Sequence, residues 1–233
     1  YGVVRKNVVA AVMSMPGAES SMTLERQGDA RVLAHPLAQH ALAVLRDAET
    51  DASTFRHQLS RLGRVCGYAL APEYLETSTV DVQTPLATTD GLRVTDDIVF
   101  VAVLRAALPF VEGLVGAVPQ ARQGVLSASR DEATGMDDSG EFPISVQYVN
   151  LPEIHPSDTV VVADPMLATG STMVAALEAV LDGSDPETTV VLSAVSAPEG
   201  IERVADQFPE VDLVTVSVDD RLDENGFIVP GLG

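Results

Sequence analysis

Lysine is nearly absent from this chain of 233 residues: of its 14 basic side chains only Lys6 is a lysine, and the rest are arginines. A Walker A loop needs Gly-Lys-Ser/Thr, so P-loop nucleotide hydrolysis is excluded. Schiff-base chemistry needs an amine buried in a pocket, and a single lysine in the N-terminal tail excludes a pyridoxal enzyme as well. Cysteine is almost as scarce. Cys66 has no partner for an internal disulfide and lies among apolar helical positions between Arg64 and Tyr68, which reads as a core thiol. Four histidines, His35, His40, His57 and His155, show neither HExxH nor Cys/His spacing, so surface or capping roles are expected and no metal site of the protein's own. No apolar run approaches the length of about eighteen residues that a membrane span requires. The run Val8 to Met13 is shorter than a secretory core, even with Arg5 and Lys6 ahead of it, so the chain reads as soluble and cytoplasmic. No Gly-x-Gly-x-x-Gly occurs, which sets aside a dinucleotide-binding oxidoreductase.

Positive charge is the other scarcity. Against 34 Asp plus Glu stand 14 Lys plus Arg, a formal net charge of -20, and a nucleic-acid backbone is disfavoured as a partner. The acids crowd into pairs: Asp131-Glu132, Asp137-Asp138, Asp219-Asp220 and Asp223-Glu224. Such a composition resembles proteins from salt-rich cytoplasm, as in a halophilic archaeon. Carboxylates at this density repel one another, and the repulsion is tolerable where salt shortens the Debye length to about 3 Å at 1 M.

With 46% hydrophobic residues the chain can bury one good core. Residues 1–27 show no clear periodicity and contain Pro16-Gly17, so they read as a leader outside the fold, followed by a single domain over residues 28–233. A helix is expected from Pro36 and a second from Ser53 to about Leu70. Alternating β-branched text from Leu75 to Val82 suggests an edge hairpin arm. Ile98 to Leu104 is a continuous apolar run, as in a strand covered on both faces, with helical text from Leu108 to Val118. Further strands are expected at Gly124–Ala128, Ile144–Val149, Thr159–Ala163, Thr189–Val195 and Leu213–Val218, and helices at Ser171–Leu181 and Pro198–Phe208. The alternation defines an α/β fold, a parallel sheet flanked by helices on both faces, behind an N-terminal helical pair. The aperiodic acidic segment Asp131 to Glu141 reads as a mobile loop or hairpin tip.

Ligands of such sheets gather beyond the carboxyl ends of the strands. There, Thr159–Ala163 runs into Asp164-Pro165-Met166-Leu167-Ala168-Thr169-Gly170-Ser171-Thr172, and a helix follows. Small residues and Gly170 let backbone N–H groups converge on a phosphate, with Thr169, Ser171 and Thr172 adding hydroxyls. Asp164 would stand beside it as an acceptor for sugar hydroxyls. Phosphate plus ribose suggests a ribose-5-phosphate moiety; an Asp-Pro turn and a capped helix would use the same residues.

The seven positions Asp164 to Gly170 resemble the uracil phosphoribosyltransferase family. So do His35-Pro36-Leu37, Phe55-Arg56, Leu104-Arg105-Ala106, Ala197-Pro198-Glu199-Gly200-Ile201 and the ending Gly226 to Gly233. The resemblance implies a type I phosphoribosyltransferase fold and transfer of the 5-phosphoribosyl group from phosphoribosyl diphosphate to uracil, giving UMP and diphosphate. It implies that Asp164 and Arg105 are the catalytic residues and that Asp164, Pro165, Met166, Leu167, Ala168, Thr169, Gly170, Ser171 and Thr172 hold the 5-phosphate and ribose. Arg105 and Arg130 would face the diphosphate, and Ile228 and Gly233 would offer backbone groups to uracil. Mg2+ would be carried by the diphosphate. A homodimer or homotetramer and a GTP effector are further implications, with no nucleic-acid or membrane partner. Ala102 and Ala107 stand where the family usually has proline and glycine, and Ser129 where it commonly has tyrosine. The family continues past Gly-Leu-Gly into an Asp-containing closing segment, which is expected to be missing from a chain that stops at Gly233. Two rivals share the motif: a phosphoribosyltransferase-like regulator binding pyrimidine nucleotide and RNA, and a transferase for another base.

The charge generates a prediction. Raising KCl from millimolar to molar concentration should raise the melting temperature, because screening relieves self-repulsion among the acids. A melting temperature that does not respond to KCl removes the salt-adaptation reading.

Overall fold

The structure is a computed structural model that describes residues 23–95, 97–130 and 144–232. Two short strands, β1 (Thr23–Gln27) and β2 (Ala30–Ala34), precede the helices α1 (Pro36–Arg46) and α2 (Ala52–Tyr74). Both helices start where the sequence supplies a cap. His35 Nδ1 accepts from the N–H of Leu37 at 3.1 Å, and Asp51 accepts from Ser53 and Thr54 at 2.8 and 3.0 Å. A two-stranded arm, β3 (Thr77–Gln83) and β4 (Thr88–Val94), then leaves the body. The remaining elements alternate: β5 (Ile98–Leu104), α3 (Leu108–Ala117), β6 (Arg122–Arg130), β7 (Ile144–Asn150), β8 (Thr159–Ala163), β9 (Met166–Leu167), α4 (Ser171–Leu181), β10 (Thr188–Ser196), α5 (Pro198–Gln207) and β11 (Asp212–Val218). A small hairpin of β12 (Arg221–Leu222) and β13 (Ile228–Val229) follows.

The main sheet runs β1-β2-β11-β10-β8-β5-β6-β7, with β9 added beside β10. From β2 to β6 every neighbour is parallel. Period-two alternation divides the buried side chains between two layers. Phe100, Ala102, Val161, Ala163 and Leu192 join the layer of Leu42, Leu45, Leu62, Cys66, Phe110 and Leu114 from α1 to α3. Val99, Val101, Val103, Val160 and Val162 join Met173, Leu177, Ile201 and Val204 from α4 and α5. This double coverage is why β5 and β8 read as unbroken apolar runs. Cys66 lies in the first layer, where burial pushes its thiol up to about 12 and keeps it protonated. Among the described residues no helix is long and apolar enough to cross a membrane.

The α/β sheet, the helical pair and the arm stand as expected, and four details differ. Thr23–Gln27 belongs to the fold, pairing antiparallel with β2, so the leader cannot extend to Gln27; residues 1–22 lie outside the described residues. Helix α2 continues past Leu70 and through Pro72, because the Leu75 N–H still reaches the Ala71 carbonyl at 3.1 Å. Strand β7 lies where expected but pairs antiparallel with β6, closing the sheet edge. The edge strand β1 and its neighbour β2 carried no long apolar run and were not anticipated. The segment Asp131 to Glu141 lies outside the described residues.

Helices α2 and α3 approach backbone to backbone. A Cβ on Gly63 would overlap the carbonyl oxygen of Phe110, and one on Gly113 the carbonyl oxygen of Ser60. The two absent side chains are reciprocal, one on each helix. Helix α3 begins directly after Arg105-Ala106-Ala107, so this packing sets where that loop can sit. Gly113→Ala should therefore destabilise by about 1–3 kcal/mol, lowering the melting temperature by roughly 2–12 °C. Thermal melts of the single variant check this, and a change of less than a degree contradicts the close approach.

Candidate active site

The carboxyl ends of β5, β8, β10 and β11 open on one edge, delivering Arg105, Asp164, Ala197 and Asp219 in turn. Ala102 of β5 is paired with Ala163 of β8, so Arg105 and Asp164 leave from adjacent strands. Between them and α4 lies the segment 164–172.

This segment is fastened from behind. The Pro165 carbonyl accepts from Ala194 and Val195 N–H groups, both at 3.1 Å. Met166 and Leu167 pair in parallel with Val195 and Ser196, and Ala197 N–H donates to the Leu167 carbonyl at 2.9 Å. Gly200 of α5 sits against Ala168, where a Cβ would overlap its carbonyl oxygen. Pro165 and Leu167 are buried accordingly, Met166 is exposed, and Ala168, Thr169, Ser171 and Thr172 are half-buried. Gly170 has φ +81°, a conformation that favours glycine, and its carbonyl accepts from Val174 N–H to start α4. The N–H groups of Thr169 and Gly170 donate to no described residue. Thr169 Oγ1 and Ser171 Oγ lie 3.3 Å apart, and Arg203 of α5 donates to Ser171 Oγ. The result is a concave run of small residues with backbone donors and hydroxyls at a helix N-terminus, a geometry suited to an oxyanion.

Asp164 stands at the mouth of this run. Burial pushes its carboxyl up to about 6, and the Met166 N–H, 3.2 Å from Oδ1, offsets only part of that. Its surface is partly accessible, so the penalty is smaller than for a fully enclosed acid. Arg105 is exposed and ion-pairs with no described residue, and its peptide bond to Leu104 is cis. Ala102 and Ala107 are buried at 1% and 0% exposure, facing the core behind the loop. Arg130 is the last residue of β6, its backbone opposite Ile144; its side chain lies outside what is described.

On the far side, Ile228 is half-buried in β13, and the chain turns through a cis Val229–Pro230 bond into Gly231 at φ +72°. Gly233 lies outside the described residues. The turn is held by a pair that the sequence reading did not single out. Arg46 donates to both Asp219 oxygens, at 2.9 and 2.5 Å, and to the Gly231 carbonyl at 3.0 Å. Burial by itself would raise the Asp219 carboxyl, but the Arg46 guanidinium, the Gly231 N–H and Ser217 outweigh it and hold it below the usual range. Arg203 and Gly200 were also missed as site supports. Gly200 lies in the run Ala197 to Ile201, which the resemblance named without a role, and Arg203 falls outside it.

Comparison with known proteins agrees with this geometry. The family model for uracil phosphoribosyltransferase matches residues 32–233. A uracil phosphoribosyltransferase of Natronomonas pharaonis is 59% identical over 91% of this chain and 96% of its own length. That of Haloarcula marismortui is 57% identical over the same shares. That of Pyrococcus furiosus is 42% identical over 85% of this chain and 83% of its own length. Among solved structures, a protein of Aquifex aeolicus superposes with TM-score 0.76 at 37% identity, covering 87% of this chain and 93% of that one. An adenine phosphoribosyltransferase of Trypanosoma brucei shares the fold at TM-score 0.56 and 12% identity, over 88% and 90% of the two chains.

Parallel sheet, hairpin arm and a lysine-free run of small residues after the strand that ends at Ala163 give the fold of the type I phosphoribosyltransferases. Within that class the loop and the match across the chain are decisive. The chain belongs to the uracil phosphoribosyltransferase family.

Asp164 generates a stability prediction. A carboxyl near 6 when folded and 3.8 when unfolded favours the fold fully below about pH 4, and that advantage is lost as pH rises through 6. Asp164→Asn should therefore match the wild type most nearly in relative stability at neutral pH or exceed it, by at most about 3 kcal/mol, while losing that gain at pH 4. Denaturant melts at pH 7.5 and pH 4 check the sign, and a variant less stable at pH 7.5 than the wild type contradicts it.

Proposed function

We propose that the chain transfers the 5-phosphoribosyl group of phosphoribosyl diphosphate to uracil, giving UMP and diphosphate. One observation carries the reading: the segment 164–172, held from behind by β10 and α5, leaves the N–H groups of Thr169 and Gly170 uncommitted beside Asp164. The 5-phosphate takes those donors together with the hydroxyls of Thr169, Ser171 and Thr172. Asp164 accepts from the ribose hydroxyls. Arg105 and Arg130 meet the diphosphate, where a guanidinium fork stabilises charge gathering on the leaving oxygens. The attacking atom is a ring nitrogen of uracil, so the protein supplies no nucleophile; it positions both substrates and excludes water. Uracil takes backbone groups at Ile228 and Gly233, a suitable match for a flat neutral ring.

Mg2+ belongs to the same reading, carried by the diphosphate. It supplies charge neutralisation on the diphosphate oxygens when bound. Asp164 fits it, because a carboxyl that burial holds near 6 is an anion in need of a nearby cation. We assign the protein to the cytoplasm of a salt-rich cell, as a homodimer or homotetramer in which a second copy covers Leu86 and Leu92 of the arm, 96% and 63% exposed. GTP is an effector in this reading, with no residue assigned to it.

Radiolabelled uracil incubated with phosphoribosyl diphosphate and Mg2+ in molar KCl should yield UMP, and no UMP formation overturns the reading. Arg105→Ala should raise KM for phosphoribosyl diphosphate by about 10–150-fold, the equivalent of about 1.5–3 kcal/mol for a charge-assisted contact, with a smaller effect on uracil. Equal losses for both substrates contradict the assignment of Arg105 to the diphosphate.

A further inference from the structure

We infer that Arg46 and Asp219 are positioning residues for the nucleobase, a buried ion pair that clamps both backbone groups of Gly231 and so fixes the turn that presents uracil. The inference rests on the reading of the Ile228 to Gly233 segment as the base site. Arg46 is the last residue of α1 and Asp219 the first after β11. Their side chains are 23% and 2% exposed, so the carboxylate is removed from solvent under a half-buried guanidinium and the pair is less screened by salt than a surface one.

Its contacts run to the turn. Asp219 Oδ2 accepts from the Gly231 N–H at 2.9 Å, while Arg46 Nη1 donates to the Gly231 carbonyl at 3.0 Å. With donor and acceptor both committed, the peptide planes on either side of Gly231 cannot rotate. Only glycine fits there, because φ is +72° and a Cβ would overlap the Ile228 carbonyl oxygen. Ser217 braces the pair: its hydroxyl donates to Asp219 Oδ1 at 2.9 Å and accepts from Arg46 Nη2 at 3.0 Å. The guanidinium thus uses its planar fork on four acceptor atoms of three residues, which an ammonium cannot reproduce.

The same residue reaches the phosphate side. Asp219 N–H donates to the Ser196 carbonyl at 2.8 Å, and Ser196 is the β10 residue paired with Leu167 of the phosphate loop. Asp219 and Ser196 therefore join the base turn to the phosphate loop. Bond formation needs the ring nitrogen and the sugar carbon held about 3–3.5 Å apart, so a loosened turn is felt in the use of uracil while the phosphate loop, with its own ties to β10, keeps its ligand.

The molecule contains a matched control. Arg122 and Asp158 form a second buried pair at 2.6 Å, with Asp158 0% exposed, but Asp158 also accepts from His155 N–H and lies just before β8, at the opposite end of the strands. Steady-state kinetics on the full chain in molar KCl test the inference with Asp219→Asn, Arg46→Lys and Asp158→Asn. Asp219→Asn should raise KM for uracil at least tenfold and leave KM for phosphoribosyl diphosphate within twofold. Arg46→Lys, keeping the charge without the fork, should show a smaller shift of the same kind. Asp158→Asn should lower the melting temperature and leave both KM values within twofold. If Asp219→Asn does not fold, Arg46→Lys carries the test, and failure of both to fold makes the pair a purely structural frame and overturns the inference. An unchanged KM for uracil in a folded variant overturns it, as does an equal rise in Asp158→Asn. A wild type that makes no UMP removes the uracil reading itself, whereas an active wild type with insensitive variants removes only the clamp.

Discussion

A loop that offers backbone N–H groups to an anion, as the proposed function has the segment 164–172 do, must leave those groups without internal partners, yet the loop itself must not move. Most of the architecture around the site follows from that conflict. With no lysine among its residues, the segment 164–172 has no mobile ammonium of its own to compensate for poor placement, so placement has to come from hydrogen bonds on the outer side. Pro165 and Leu167 spend their carbonyls on β10 and its extension, while Thr169 and Gly170 keep their N–H groups uncommitted. Gly200 completes the arrangement, since any side chain there would push Ala168 toward the ligand. The buried parallel strands are needed for the same reason: β10 can hold β9 from one side only because β8 and β11 fix its own position.

The arginines show how a chain of net charge -20 uses its few cations. Arg46 and Arg122 bind carboxylates that are almost wholly buried, and Arg203 reaches Ser171 at the start of α4. A fork with five donors can satisfy a carboxylate and a carbonyl at once, as Arg46 does with Asp219 and Gly231, and it cannot lose its proton when buried. Exposed pairs would contribute little, and less still at high salt. Arg105 contrasts with these. It stands exposed at the end of β5 without an ion pair to a described residue, as a cation held for a ligand should.

What the sequence disclosed and what it hid divide along physical lines. The strands β5 and β8 and the helix α4 were legible because burial on two faces writes an apolar run, and a helical stripe writes a period. The loop between β8 and α4 was legible as a candidate site because its small and hydroxyl-bearing residues are contiguous from Asp164 to Thr172. Strands β1 and β2 were not, since a polar edge such as Thr23–Gln27 satisfies its backbone without leaving a hydrophobic trace. The end of α2 was misplaced because Pro72 signals a break, whereas the helix runs on to Tyr74 and the Leu75 N–H still bonds the Ala71 carbonyl. Arg46 and Asp219 are 173 positions apart, and no local pattern joins them. Asp219 looked like one more member of an acidic pair, Asp219-Asp220, although one of these acids is buried and the other exposed.

That contrast extends to the two acids at the site. Asp219 has every oxygen engaged by Arg46, Ser217 and Gly231, and its charge is stabilised below the ordinary range. Asp164 has one backbone N–H, and burial leaves its charge poorly compensated, near 6. The first arrangement is complete and therefore suited to holding a turn in place. The second is incomplete in the free protein, and it sits beside uncommitted backbone donors and an exposed arginine. Folding alone gains nothing from leaving these groups unsatisfied together at one edge of the sheet. Their common deficit is of the kind a substrate carrying phosphate, hydroxyls and a bound cation would fill, which is why the proposed function puts the substrate at the incomplete acid and the further inference gives the complete one the task of holding the turn.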